Sequence, residues 1–340
     1  MKQIESFSTY DEIKSQTAAW AQALELSAKA DLPNAENYDQ VIFMGCGSTY
    51  FLSLAASALY QELTGRIARA IPSGELLLNS NTILTDQKTL LIAISRSGTT
   101  TETVKAVEKF NEIKQGQVLT ISNYDETLSH IADARIGIPK GTEESIAQTR
   151  SFASMYLATT MLSARMAGRK DLLDQMATLP EVGDRVIREF EPVARKLGEN
   201  LAFDRFYFLG SGIRYGLACE VNLKMKEMTL THSEPFYFLE FRHGPMSMVN
   251  KKAVVIGLVS ESNREYETAV LNDMRKLGGK VFTVGESGAD VSFNSEIPEE
   301  LRAVLYLPAL QLMAFHRSLA KGLNPDHPRN LSSVIQLDNL

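Results

Sequence analysis

A hydroxyl-rich turn in the first half of the chain has the composition of an anion-binding site. Residues 95–100 read Ser-Arg-Ser-Gly-Thr-Thr and follow the apolar run 90–94, which predicts a strand that ends in a loop. Thr99 and Glu102 have the spacing of a capping box, which predicts that a helix begins here. Helix N-termini present unpaired N–H groups, and these stabilise a phosphate together with nearby hydroxyls. An ordinary capped helix has the same pattern, so the turn alone leaves both interpretations open.

A second turn of this kind follows the first predicted strand. Residues 45–49 read Gly-Cys-Gly-Ser-Thr, and the carboxyl ends of parallel strands bring such turns together at one edge of a sheet. The pattern is not the dinucleotide-binding fingerprint, because Tyr50 stands where the third glycine would be. A nicotinamide cofactor is therefore disfavoured. The cysteines are Cys46 and Cys219 alone, and without a Cys/His cluster we expect no metal and no other cofactor.

Three charged residues in the second half have the spacing of one helix face, namely Glu220, Lys224 and Glu227. A carboxylate can move a proton between adjacent carbons, and a lysine three residues earlier can hold that carboxylate or polarise an oxygen. His243 adds an imidazole, a group that exchanges protons near neutral pH. On the residues alone, the charges also fit a solvated salt-bridge ladder and the histidine a structural role.

The two halves of the chain repeat each other. Residues 41–50 match residues 206–215, and the same offset aligns residues 91–97 with 256–262. Such a repeat predicts a duplicated domain. In each copy strands alternate with helical patterns, which predicts a parallel sheet covered on both faces by helices. The predicted fold class is therefore α/β, with two doubly wound parallel sheets in tandem.

The periodicity also predicts where the elements and domains lie. The predicted strands are near residues 40–45, 67–71, 89–94, 117–121 and 135–138 in the first copy, and near 205–209, 254–259 and 280–284 in the second. The predicted divisions are an N-terminal helical segment at 1–34, a first domain with bridging helices at 35–195, a second domain at 196–320 and a C-terminal tail at 321–340.

Composition excludes several classes of partner. The chain has 340 residues, of which 44% are hydrophobic, and a formal net charge of -6. Binding a nucleic-acid backbone needs a concentrated basic face, so we expect no nucleic acid as partner. No apolar run approaches the roughly 20 residues of a membrane-spanning helix, and the first residues do not resemble a signal peptide. We therefore expect a cytoplasmic protein without a membrane partner.

Together these motifs resemble the sugar isomerase (SIS) family. The elements that carry the resemblance are the turns at 45–49 and 95–100, the run 223–227, the His-Gly-Pro segment 240–245 and the Pro-Arg-Asn-Leu tail 321–331. The chain is most similar to the isomerase half of glucosamine-6-phosphate synthase and to stand-alone sugar-phosphate isomerases and amino-sugar-phosphate deaminases. The resemblance implies two flavodoxin-like domains and a homodimer whose active site lies at the subunit interface.

The resemblance also implies a role for each matching residue. The residues that match the family's phosphate site are Ser95, Arg96 through its backbone, Ser97 and Thr100. Thr49 matches a contact to sugar hydroxyls, and Gln148 stands where the synthase has a pocket serine. Glu227 matches the general base, Lys224 a lysine of the same pocket, and His243 the ring-opening histidine, which these dimers take from the partner subunit.

Three departures from the synthase change the expected chemistry. No cysteine follows Met1, so we do not expect ammonia release from glutamine in the synthase's manner. Ser333 stands where the synthase has an imine-forming lysine, so ring opening through an imine is not expected at that position. In the second copy Glu261 brings a carboxylate to the would-be anion site, where like charge repels a phosphate. We therefore predict one phosphate site per chain, in the first domain.

The predicted function is that of a sugar-phosphate deaminase or isomerase. The favoured substrate is a hexosamine 6-phosphate, with glucosamine 6-phosphate first, and the reaction is a proton transfer between carbons 1 and 2 with Glu227 as base. One alternative is an isomerase for an aldose, ketose or fructosamine phosphate, because the same proton transfer serves both. The other is a sugar-phosphate sensor without turnover, against which the retained Glu227 and His243 argue.

Overall fold

The computed structural model describes residues 4–113, 115–335 and 337, and these form two compact units. The first-sheet unit comprises Ala18–Glu143, Arg150–Ala177 and the described residues from Ser332 onward. The second-sheet unit comprises the described residues up to Thr17, then Glu144–Thr149 and Thr178–Leu331. Because the units interleave along the chain, the domain limits predicted from the sequence stay a prediction.

The first sheet has the strand order of a flavodoxin-like fold. Its strands are β1 (Gln40–Gly45), β2 (Ala68–Pro72), β3 (Thr89–Ser95), β4 (Gly116–Ser122) and β5 (Ala134–Gly137). They are parallel and lie in the order β2-β1-β3-β4-β5. Every residue of β1 and β3 is buried, as expected for central strands covered on both faces. The strand order reverses between β1 and β3, and ligands bind at such switch points, outside the carboxyl ends of the strands.

Helices cover this sheet and position the two turns. The helices of this part of the chain are α1 (Ser8–Lys29), α2 (Ser48–Thr64), α3 (Ser73–Leu78), α4 (Ser80–Ile83), α5 (Thr101–Ile113), α6 (Thr127–His130), α7 (Arg150–Met166) and α8 (Lys170–Leu173). One core cluster joins Ile42, Leu91 and Val118 of the strands to Val107 and Phe110 of α5. The turn at 45–49 connects β1 to α2, and the turn at 95–100 connects β3 to α5.

The second sheet repeats the first. Its strands are β6 (Arg205–Leu209), β7 (His232–Phe236), β8 (Ala253–Leu258), β9 (Lys280–Gly285) and β10 (Val291–Ser292). They are parallel in the order β7-β6-β8-β9-β10, which is the order of the first sheet. The remaining helices are α9 (Leu179–Gly198), α10 (Ile213–Thr229), α11 (Arg264–Lys276) and α12 (Leu307–Ala320). The predicted fold class, two doubly wound parallel sheets flanked by helices, is confirmed.

Two strands of the second sheet were not predicted. β7 contains Pro235, which lacks a backbone N–H, and it lies at the edge of the sheet where a proline is tolerated. β10 has only two residues and lies at the other edge. Of the helices in the described ranges, none combines the length and apolarity that a bilayer-spanning segment needs.

Candidate functional site

The hydroxyl loop, residues 95–100, is stabilised by hydrogen bonds within the loop. Ser95 Oγ accepts from the Gly98 N–H at 3.1 Å, and Ser97 Oγ accepts from the Thr99 N–H at 3.2 Å. Gly98 has a φ of 69°, a left-handed conformation that favours glycine. The Thr99 N–H thus bonds within the loop, and α5 begins only at Thr101, later than the capping-box spacing predicts. Ser97 and Thr100 remain half-buried, with their hydroxyl oxygens 3.5 Å apart.

Arg96 supports this loop with its side chain. The guanidinium is 7% exposed, lies 3.6 Å from the carboxylate of Glu143 and donates to the backbone carbonyl of Ser333 at 2.8 Å. Its own carbonyl accepts from the Asn123 N–H at 3.2 Å. The side chain is therefore engaged by Glu143 and Ser333, and the contact of the Arg96 backbone with a phosphate stays a prediction.

The glycine turn, residues 45–49, is compact for a steric reason. A Cβ at Gly45 would lie 2.5 Å from Thr49 Oγ1, and Gly47 has a φ of 56°. Thr49 is buried, and its hydroxyl accepts from the Cys46 N–H at 2.9 Å and donates to the Cys46 carbonyl at 3.0 Å. Its contact with sugar hydroxyls stays a prediction and requires the hydroxyl to exchange one of these partners. Burial raises the pKa of the Cys46 thiol, so a thiolate is disfavoured here.

Gln148 lies in the second-sheet unit, just before α7. Its side chain is half-buried, and within the described part of the chain its Oε1 atom is buried without a hydrogen-bond partner. Buried amide oxygens are normally satisfied, so this atom departs from the usual pattern, and the place of Gln148 in a sugar pocket stays a prediction.

The charged triad on α10, Glu220, Lys224 and Glu227, is a buried cluster and not a solvated ladder. Lys224 is 1% exposed, and its Nζ lies 3.3 Å from Glu220 Oε1 and donates to Glu227 Oε2 at 2.6 Å. Glu220 is fully buried, whereas the side chain of Glu227 is 19% exposed. The ammonium thus orients two carboxylates, of which Glu227 is the one that a small molecule can reach.

His243 lies on a separate segment of the second-sheet unit. It follows a 3-10 helix, Glu240–Arg242, and its side chain is exposed. Gly244, the next residue, has a φ of 125°. Arg242 fixes this segment by donating twice to Asp273, at 3.0 and 2.6 Å. Among the described residues, no hydrogen bond or ion pair joins His243 to Glu227.

Sequence reasoning missed the residue that occupies the corresponding loop of the second copy. The Glu261 carboxylate was expected there, but it is half-exposed and pairs with Arg302 at 2.5 Å. The carboxylate that lies on the N–H groups of Glu261 and Ser262 belongs to Glu299, at 3.2 and 3.1 Å. Glu299 is far along the chain from this loop, and no motif in the sequence indicated it.

The fold and these loops define a class of protein in which a flavodoxin-like α/β domain is duplicated. Residues 36–166 and 203–295 match the SIS domain family. These segments make up most of the chain, so the chain belongs to the SIS domain family, and the resemblance found in the sequence is confirmed.

Comparison with known proteins gives relatives that are named as enzymes. The chain is 29% identical over 322 residues to a glutamine–fructose-6-phosphate aminotransferase of Pyrococcus horikoshii, covering 88% of this chain and 52% of that one. It therefore spans about half the length of the curated relatives it matches. Glucosamine-6-phosphate deaminase from Thermotoga maritima aligns with a TM-score of 0.84 and 28% identity, covering 97% of this chain and 100% of that chain. Tagatose-6-phosphate ketose/aldose isomerase from Escherichia coli has a TM-score of 0.83 at 21% identity, with 96% and 98% covered, and shares the fold.

Proposed function

We propose that this chain is a sugar-phosphate deaminase or isomerase that acts on a hexosamine 6-phosphate, with glucosamine 6-phosphate as the favoured substrate. The observation that carries the proposal is the partly exposed Glu227 carboxylate, which a buried Lys224 orients at 2.6 Å. A buried lysine is costly unless it serves paired carboxylates, and here one of the two carboxylates is open to small molecules. The arrangement suits a base that must be held still and yet reach a substrate.

In the proposed reaction, Glu227 removes the proton from carbon 2 of the open-chain amino sugar. The electron pair forms an enolamine between carbons 1 and 2, and protonation at carbon 1 gives an imine at carbon 2. Water then adds to that imine, ammonia leaves, and a ketose 6-phosphate remains. Atoms and charge balance, because one water is consumed for each ammonia released, and no oxidant or reductant is needed.

The other predicted residues have roles around this transfer. Ser95, Ser97, Thr100 and the Arg96 backbone hold the 6-phosphate, since hydroxyls and N–H groups at the start of a helix are donors that a phosphate needs. Gln148 contacts the sugar, with its unpartnered Oε1 atom accepting from a hydroxyl or amine. Thr49 contacts the sugar hydroxyls.

We further propose a homodimer in which His243 is supplied across the subunit interface and opens the sugar ring. The exposure of His243 and the absence of a described contact to Glu227 within one chain support this assignment. An imidazole on another subunit can pass a proton to or from the ring oxygen at neutral pH. With Ser333 in place of the synthase lysine, this histidine carries the ring opening without an imine to the protein.

The deaminase proposal is supported by the Thermotoga maritima deaminase, which is aligned over its whole length. The test measures ammonia release from a panel of amino-sugar 6-phosphates beside ketose formation from the non-amino analogues. We expect ammonia from glucosamine 6-phosphate, and its loss in Glu227→Gln. Glu189→Gln is the matched control, because Glu189 is an exposed residue of α9.

Two outcomes of this test would favour one of the alternative functions. Ketose formation from a non-amino sugar phosphate, without ammonia from any amino sugar, assigns the chain to the aldose/ketose isomerases. If the wild-type chain and Glu227→Gln are both inactive on every sugar but bind them with equal affinity, the chain is a sugar-phosphate sensor.

A further inference from the structure

The second copy keeps one hydrogen bond of the hydroxyl loop. In the second loop, residues 260–263, the Asn263 N–H donates to Ser260 Oγ at 3.0 Å, as the Gly98 N–H does to Ser95 Oγ at 3.1 Å in the first copy. The second loop likewise lies between a buried strand, β8, and a helix of 13 residues, α11. The backbone N–H groups before and at the start of this helix are donors of the kind that stabilise an anion.

A carboxylate of the chain itself lies on these donors. Glu299 Oε2 accepts from the Glu261 N–H at 3.2 Å and from the Ser262 N–H at 3.1 Å. Its Oε1 accepts from the Ser262 hydroxyl at 3.4 Å and from Arg214 Nη1 at 2.5 Å. Two backbone N–H groups, a hydroxyl and a guanidinium make up a donor set typical of phosphate sites, and here they surround a single side chain.

The burial of Arg214 also favours an anion at this site. This arginine occupies the position that Thr49 has in the first copy, and its side chain is 8% exposed. Its Nη2 lies 3.3 Å from Glu267, while its Nε is buried without a hydrogen-bond partner among the described residues. A buried guanidinium requires an anionic partner, and Glu299 is its nearest one.

The Glu299 side chain is 21% exposed and borders a cleft. The cleft has a volume of about 520 Å³, and its charged lining residues are Glu261, Glu286, Glu296, Glu299 and Arg302. Arg302 is 4% exposed and lies 2.5 Å from Glu261 and 3.5 Å from Glu286, so the cleft contains a second buried guanidinium.

We propose that the second loop is an anion-binding site whose ligand is the chain's own Glu299 carboxylate, and that inorganic phosphate takes this place when the carboxylate is removed. A tethered ligand acts at an effective concentration in the millimolar range or above, so it excludes dilute free phosphate. The second copy therefore lacks a free phosphate site because its donors are already occupied, rather than because Glu261 repels the ion.

The experiment compares Glu299→Ala with Glu300→Ala, which removes the neighbouring carboxylate as a matched control. In phosphate-free buffer we expect Glu299→Ala to lower the Tm by about 3–10 °C, because Arg214 and two N–H groups lose a charged partner. Inorganic phosphate should then raise the Tm of Glu299→Ala more than that of Glu300→Ala or the wild type. At ten times its dissociation constant, phosphate shifts the folding equilibrium by a factor of about 11. Calorimetry should count one more phosphate per chain in Glu299→Ala than in Glu300→Ala.

Two further variants test whether the response to phosphate comes from the second loop. Adding Ser262→Ala to Glu299→Ala should weaken the extra phosphate binding, since it removes one donor of the site. If Glu299→Ala does not fold, Glu299→Ser keeps a polar side chain but is too short to fill the place of the carboxylate, and it should still respond to phosphate more than Glu300→Ala. Equal phosphate responses in the Glu299 and Glu300 variants would overturn the proposal, as would an extra response that the Ser262 substitution leaves unchanged.

Discussion

Replacing Lys224 or Glu227 separates the stability of the charged triad on α10 from its chemistry. Lys224 is 1% exposed and lies between Glu220, which is fully buried, and Glu227, which is 19% exposed. Lys224→Met removes the cation and leaves two carboxylates within one helix face, one of them away from water. Breaking a buried ion pair in this way costs about 3–5 kcal/mol of unfolding free energy.

Glu227→Gln should keep the stability of the fold and lose the activity. The amide oxygen can accept the same hydrogen bond from Lys224, and Lys224 keeps its pairing with Glu220 at 3.3 Å, so the charge of the triad goes from -1 to zero without leaving a buried charge unpaired. We expect the free energy of unfolding to change by no more than about 1 kcal/mol. Turnover should nevertheless fall by about 10²–10⁴-fold, because the general base is lost.

The assay is urea denaturation followed by circular dichroism, beside turnover of the best substrate of the panel, with Glu189→Gln as control. We expect Lys224→Met to lose stability and Glu227→Gln to lose activity while staying folded. A loss of less than about 1 kcal/mol in Lys224→Met would refute the buried ion pair, and turnover within about tenfold of the wild type in Glu227→Gln would refute the role of this carboxylate as base.

Three other predictions concern the phosphate loop, the subunit interface and the stability of the fold. Ser97→Ala should weaken sugar-phosphate binding by about tenfold in calorimetry, whereas Ser262→Ala, its counterpart in the second copy, should not; equal losses would contradict a single phosphate site. Inactive Glu227→Gln and His243→Ala chains, unfolded together and refolded, should regain about 25% of wild-type activity, since half of the dimers are mixed and each mixed dimer has one intact site; no recovery would place both groups in one chain. Burial lowers the pKa of His316 below its ordinary 6.5, so the unfolded chain binds this proton more readily and the free energy of unfolding should fall as pH drops below about 6.5. His316→Gln should flatten that slope in denaturation curves taken between about pH 5 and 7.5, and an unchanged slope would contradict the assignment.

The sequence predicted the fold wherever local pattern and burial agree. The first sheet was predicted strand by strand, because β1 and β3 are continuous apolar runs between clear turns. β7 was missed because Pro235 argues against a strand unless the strand is known to lie at an edge. Edge position is a property of the assembled sheet and not of the local sequence.

In the candidate site, the sequence predicted which residues share a helix face, but not their burial or their contacts with distant residues. The spacing of Lys224 and Glu227 indicates that they meet on one helix face, and they do. Their burial was not readable, because a solvated ladder has the same spacing. The pairing of Arg96 with Glu143 and Ser333, and the seat of Glu299 on the second loop, join residues far apart in the sequence, and only the fold brings them together.

The most direct test of proton transfer by Glu227 follows the hydrogen atoms at carbons 1 and 2 of the sugar. Glucosamine 6-phosphate and its non-amino analogues are incubated with the chain in D₂O, and deuterium at carbons 1 and 2 of substrate and product is measured by NMR. We expect solvent deuterium at carbon 1 of the ketose product with the wild-type chain and none with Glu227→Gln. Product formation or deuterium incorporation by Glu227→Gln equal to that of the wild type would contradict proton transfer by this carboxylate.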